Sequence, residues 1–390
     1  MKHEALLTIS CILALGVVGC EKDPGKGNAS KEGFTGETVT VGETRDSYKN
    51  LYILNEGAMG HNEASLDFFT PSDGLYVRSA FSQANPSISL GDTANDLIAV
   101  GDEIWIAVTG SDLIEIVDAA TLAHKASIPV VMPRCLAADN NFVYVTSYNG
   151  AYATYSEDFT LTDYNNPKGA LYRISIADKR KEEHYLGLGY QPEGLVVSGS
   201  NLFIANSGGI ASQQDPYTYD NTITHIDLTR FKIYKTYTSV INAKEIFVDS
   251  EGTIWEHTLG DFYSLHSGLY KKTEDGAERV TAEGCGLCVG AIAQNGDDFW
   301  IIGSDSEWIY PGSDWYVYKI TNGVATKVNI DIEAVYPYGI AVDPETGDLF
   351  ITDGGTGGNL GTIYCYSKAD NYALKWKTTS GIFPGHFLFL

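Results

Sequence analysis

The chain has 390 residues, of which 50 are acidic and 26 basic, giving a formal net charge of −24 at pH 7. Such an excess of negative charge excludes nucleic acid, whose phosphates it would repel, and a polybasic contact with a membrane surface. Neutral or cationic ligands are the easier partners.

In chain order, the first element is an address rather than a fold. Residues 1–19 open with the weakly positive MKHEA and continue as the apolar LLTISCILALGVV, which suits a secretory leader better than a transmembrane helix. Val17-Val18-Gly19-Cys20 resembles the lipobox of bacterial lipoproteins, which implies removal of the leader and lipidation of Cys20. Residues 20–45 are polar and Gly-rich and are expected to form a flexible tether. Glu21-Lys22-Asp23 is similar to the export signals of Bacteroidetes lipoproteins, which implies an outer-membrane protein facing the exterior, held only by its lipid. Four other cysteines remain: Cys135, Cys285, Cys288 and Cys365. Cys285-Gly-Leu-Cys288 could close a small disulfide or stay reduced, and no second ligand pair at zinc spacing accompanies it.

From about residue 50 a phrase repeats. It runs ANDLIAVGDEIWIAVTGSDLIEIVDAATL from Ala94, PRCLAADNNFVYVTSYNG from Pro133 and PEGLVVSGSNLFIANSGG from Pro192. AKEIFVDSEGTIWEHTLG from Ala243, VGAIAQNGDDFWIIGSDS from Val289 and PYGIAVDPETGDLFITDGG from Pro337 continue it. Each is an apolar strand, a tight turn, a second strand, a variable loop and a third strand, recurring at roughly 40–50 residues, the signature of propeller blades. The ends supply a seventh blade. LYILNEG at Leu51 fits a second strand, ASLDFFTPSDG a third, and the C-terminal PGHFLFL the missing first. Residues 46–390 are therefore expected to form one all-β, seven-bladed β-propeller, closed by pairing of its N- and C-terminal strands.

In that register the first strands line the axis, and their starting ends ring the channel mouth. The ring residues include Asn95, Arg134, Glu193, Glu245, Tyr338 and His386, with Asp96 and Lys244 beside them. The loops between second and third strands share this face and are rich in aromatics. Blade three contributes Tyr148, Tyr152 and Tyr155, blade four Tyr217 and Tyr219, and blade five Phe262 and Tyr263. Blade six contributes Trp308, Tyr310 and Trp315 from SEWIYPGSDWY, with Trp315 placed where it could brace the loop instead. The turns on the opposite face, such as VSGSN and NGDD, are short and carry no aromatics. Long loops on a rigid scaffold are where binding residues concentrate.

Other chemistries are less well served. Glu193, Glu245, Asn95 and Asp96 could hold a divalent metal as in a lactonase, but Arg134 and Lys244 in the same ring are better partners for these carboxylates. His257 and His386 near the mouth read as hydrogen-bonded structural residues, and DGGTGGNLG (353–361) as a wide loop. No nucleophile–base pair, metal site or cofactor is expected.

LYILNEGAMGHNEASLDFF, LGDTANDL and YQPEGLVVSGSNLFIANSGG, taken with the repeats, resemble the YncE-like propeller lipoproteins of Bacteroidetes over residues 51–390. Within that group, resemblance to the BtuG-type proteins implies a non-enzymatic surface lipoprotein. It would capture cobalamin (vitamin B12) or a related corrinoid and deliver it to a TonB-dependent transporter. Tyr and Trp rings offer broad faces to a corrin, while Asn, Asp, Glu and Arg match its peripheral amides. The same residues suit carbohydrate, so a glycan-binding lipoprotein of a polysaccharide-uptake system is the alternative. A lactonase-type hydrolase and a surface adhesin follow.

Overall fold

A computed structural model describes residues 28–31, 33–156, 161–208, 219–261, 265–280, 288–304, 314–355 and 358–390. It is a seven-bladed β-propeller of antiparallel sheets; in blades two to seven, four strands run outward from the axis in chain order, and in blade one the C-terminal strand is innermost. The first strands of blades two to seven are Ala94–Val100, Pro133–Ala138, Pro192–Ser198, Ala243–Val248, Cys288–Asn295 and Pro337–Val342. Blade one is closed as the sequence implies. Pro384–Phe389 pairs antiparallel with Leu51–Asn55, from Leu51↔Phe389 to Asn55↔Pro384.

The apolar runs follow from packing on both sides. A second strand lies between two neighbouring blades, so all six residues of Glu103–Val108 are buried instead of alternating. Trp105, Ile114 and Ile116 of blade two meet Leu136, Val143 and Val145 of blade three in one such interface. Burying each Ile or Leu there contributes roughly 1.5–3 kcal/mol before entropy is subtracted. On the face opposite the mouth, tight turns join first to second strands, with Gly101 and Gly199 at φ 62° and 58°, a conformation that favours glycine.

Residues 28–45 depart from the expected tether. Phe34–Thr38 pairs with Leu75–Val77 at the outer edge of blade one, and Asn28–Lys31 adds a further strand beyond it. Phe34 is buried edge-on against Phe68, at 5.2 Å between ring centres. The chain then crosses to blade seven. The Arg45 Nε donates to Asp343 at 2.9 Å and the Tyr48 hydroxyl donates to the same carboxylate at 2.6 Å. Lys375 Nζ reaches Glu43 at 2.8 Å. A segment that is polar in composition is thus ordered by a single aromatic anchor and buried ion pairing, neither of which composition reveals.

One buried carboxyl lies between blades four and five. Glu256 is inaccessible to solvent; one of its oxygens accepts from the Ser239 hydroxyl and the other has no partner among the described residues. Burial pushes the group up to about 7, against the smaller downward pull of Ser239 and Lys272.

Two outcomes follow. Arg45→Ala leaves Asp343 buried without its cation and should lower the unfolding free energy by about 3 kcal/mol; an unchanged urea midpoint would show that the strap lies outside the cooperative unit. For Glu256, the folded state holds more protons than the unfolded chain between pH 4.5 and about 7, so stability falls as pH rises through that window. Glu256→Gln, a mimic of the protonated acid, should therefore be more stable than wild type at pH 8, by up to about 3 kcal/mol. The difference should vanish near pH 4, as read from paired denaturant melts.

Candidate binding ring at the channel mouth

Each first strand carries a β-bulge at its mouth end. The register steps from Ala94 to Asp96, Pro133 to Leu136, Pro192 to Leu195 and Ala243 to Glu245 in blades two to five. It steps from Val289 to Ala291 and Pro337 to Gly339 in blades six and seven, and between Pro384 and His386 in blade one. A bulge re-aims the residue left out of the ladder. Those residues include Asn95, Arg134, Glu193, Lys244 and Tyr338, with Gly290 and Gly385 completing the ring. The residue before the strand is left-handed in five blades: Thr93, Met132, Gln191, Asn242 and Phe383, at φ between 40° and 55°. For side chains other than glycine this conformation is strained, by about 1–3 kcal/mol each, and such strain concentrates at functional sites.

The ring residues from sequence meet one another. Arg134 donates through Nε and Nη2 to both oxygens of Glu193, at 3.1 and 3.2 Å, and through Nη1 to the Asn95 carbonyl at 2.8 Å. Its guanidinium also stacks 4.6 Å from the centre of the Tyr148 ring, whose hydroxyl donates to Glu193. Burial alone would lower the Arg134 pKa, but Glu193 reverses this and raises it. Tyr148 is raised, first by burial. Across the ring, Glu245 contacts Nδ1 of the buried His257. Burial pushes Glu245 up, yet His257, with Lys244 and His386, outweighs it and holds the carboxyl down at about 2.

The third cluster was only partly foreseen. His386 Nε2 lies 3.7 Å from Glu56, whose charge also helps raise the Tyr338 pKa. Burial raises Glu56, and His386 leads the interactions that bring it below the usual carboxylate range. Glu56 was missed, although a signal existed. It directly follows the second strand of blade one, as Tyr148 follows that of blade three. Tyr336, 6.3 Å from Tyr338 between ring centres, was missed as well. Asp96 accepts from the backbone N–H groups of Leu97 and Leu136, and its pKa is raised by burial.

Two ring glycines make room for neighbouring side chains. A Cβ on Gly290 would come 3.0 Å from the Trp315 ring, and one on Gly385 would come 3.0 Å from both Glu56 and Tyr338. Trp315 is thereby committed to packing, and its indole N–H donates to the Val335 carbonyl at 3.2 Å.

The loop aromatics divide. Tyr152 is exposed on a hairpin of Tyr152–Tyr155 with Leu161–Asn165, its hydroxyl 3.1 Å from Asp163. Tyr155 belongs to the same strand and pairs with Leu161. Tyr219 is half-buried beside Gly208, whose missing Cβ would strike its backbone. Tyr217, Phe262, Tyr263, Trp308, Tyr310, Cys20 and Cys285 lie outside the described residues, as does the side chain of Cys288. The mouth face also exposes Met59, Val131, Tyr190, Val335 and Leu360, large apolar side chains that frame the polar ring. Among the described residues, no three His, Cys, Asp or Glu are grouped to hold a metal ion.

Two crystal structures from Bacteroides share the fold. A quinoprotein alcohol dehydrogenase-like protein from Bacteroides thetaiotaomicron aligns with TM-score 0.58 and 13% identity over 89% of this chain and 79% of its own. A protein provisionally assigned as a 6-phosphogluconolactonase from Bacteroides fragilis aligns with TM-score 0.55 and 12% identity over 89% of this chain and all of its own. At such identities the likeness speaks for the fold alone. No curated protein sequence matches the chain. A family model, described as a domain of unknown function, matches residues 49–390, from the strand that closes blade one to the last residue. The chain belongs to the DUF5074 family.

Proposed function

We propose that this protein is a non-enzymatic surface lipoprotein that captures cobalamin or a related corrinoid on the mouth face and hands it to a TonB-dependent transporter. The observation that carries the reading is the concentration of binding features on one face. A ring of polar side chains held by bulges lies there together with exposed apolar groups and the Tyr152 hairpin. A broad ligand with an apolar body and an amide-studded edge matches that combination. The lipobox resemblance at Cys20 supplies the anchor in this proposal, and the outer membrane its location.

A lactonase-type reaction fits the ring less well. Glu193 and the Asn95 side-chain carbonyl are engaged by the Arg134 guanidinium, which already satisfies the oxygens a divalent ion would need. Glu245 is likewise engaged by His257. The glycan alternative draws on the same aromatics, so it is separated by experiment rather than by geometry.

Calorimetric titration of the chain from Glu21 onward with cyanocobalamin should show sub-micromolar binding. No heat at micromolar concentrations, together with retardation in polysaccharide gels, would favour the glycan reading instead. Trp308→Ala should weaken cyanocobalamin binding while the melting temperature stays nearly unchanged. A large loss of stability at unaltered affinity would assign that ring to loop packing.

A further inference from the structure

The ring satisfies its charged groups unequally. Arg134 is shared between Glu193 and Asn95, Glu56 is engaged by His386, Glu245 by His257, and Asp96 by two backbone N–H groups. Lys244 is different. It is the residue left out of the ladder by the bulge of blade five, opposite neither Thr258 nor His257. It makes no hydrogen bond or ion pair among the described residues, although the charges of Glu245, Glu56 and Glu193 act on it. Burial disfavours its charge, and those carboxylates more than compensate, so its pKa is raised and the ammonium stays protonated. Its three N–H donors thus have no protein acceptor among the described residues.

The ring's field decides what such a donor can take. Four carboxylic groups, Glu56, Asp96, Glu193 and Glu245, surround two permanent cations, Arg134 and Lys244. A free carboxylate approaching Lys244 would meet repulsion from the fixed acids, within a chain of net charge −24. A neutral carbonyl oxygen would not. A primary or secondary amide adds an N–H that the neighbouring Glu245 can accept. Successive residues at a bulge can serve the same side of the sheet, which ordinary strand alternation forbids.

We infer that Lys244 and Glu245 form a clamp for a neutral carboxamide, the lysine donating to its carbonyl oxygen and the glutamate accepting from its N–H. The clamp discriminates against the corresponding carboxylate. As stated for a corrinoid edge, it rests on the proposed capture function. The same chemistry would recognise the acetamido group of an N-acetylated sugar, so both sources enter the test.

The experiment is calorimetry of wild type, Lys244→Met and Lys244→Arg against three probes: cyanocobalamin, its mono-deamidated carboxylic acids, and N,N′,N″-triacetylchitotriose. Melting curves of each variant control for folding. The clamp predicts that Lys244→Met weakens the bound amide ligand by about ten-fold or more, that Lys244→Arg restores most of the affinity, and that at least one deamidated acid binds about ten-fold more weakly. Binding of cyanocobalamin that is indifferent to Lys244→Met and to deamidation at every position would overturn the clamp and leave corrinoid capture standing. Binding of the acetylated sugar but not of cyanocobalamin, with loss in Lys244→Met, would support the clamp and remove corrinoid capture. Failure of both amide probes to bind wild type would overturn the clamp.

Discussion

The rest of the site depends on one backbone feature, the residue inserted at the mouth end of each first strand. Regular alternation would send successive side chains of a first strand to the two neighbouring blades and none along the axis. The insertion turns Asn95, Arg134, Lys244 and Tyr338 toward the channel, and left-handed residues such as Thr93 and Asn242 are the strain that accompanies it. The strain is held by a repeated hydroxyl clamp from the second strands. Thr146 donates to the Glu193 carbonyl at 2.8 Å and Thr352 to the Pro384 carbonyl at 2.6 Å, each reaching from one blade to the first strand of the next. Thr109 makes the same reach to Pro133, at 2.5 Å. Blade-to-blade fastening and ring geometry are therefore one interaction seen from two sides.

Electrostatics follow from that placement. Residues far apart in sequence become neighbours around the axis, so Arg134 of blade three finds Glu193 of the next blade, and His386 from the C-terminal strand finds Glu56 near the start of the same blade. The low-dielectric walls make each pairing matter more than it would on the surface. An acidic ring whose members are mostly engaged is a poor trap for an anion and a good frame for neutral donors and acceptors.

Much of this was legible in the sequence, and the limits have physical causes. The seven blades follow from a repeat in which turn residues and apolar strands keep a fixed order, and strand register places Asn95, Arg134, Glu193, Glu245, Tyr338 and His386 on one rim. Which of them bond to which is set by the curvature of the ring, and no local pattern carries it. Glu56 was lost because the half-blade at the N-terminus was read for closure and not for its loop. Residues 34–45 depart from the expected tether because a polar segment can be ordered by a few strong contacts. Phe34 on Phe68 and Arg45 with Tyr48 on Asp343 do so here, where average hydropathy suggests a tether.

The strap and the terminal strand pairing act on the same weak point. A propeller is a ring of nearly independent blade interfaces, and it opens most readily where no covalent link joins two blades. In this chain that seam is sewn twice: by Pro384–Phe389 entering the sheet of blade one, and by residues 43–48 gripping Asp343, Glu345 and Lys375 of blade seven. Glu56, Tyr338 and His386 lie beside that seam, so closure also fixes a third of the ring. A ring fixed before the ligand arrives loses little conformational freedom on binding. On the proposed capture function, specificity would then vary through the Tyr152 hairpin rather than through the bulged ring beneath it.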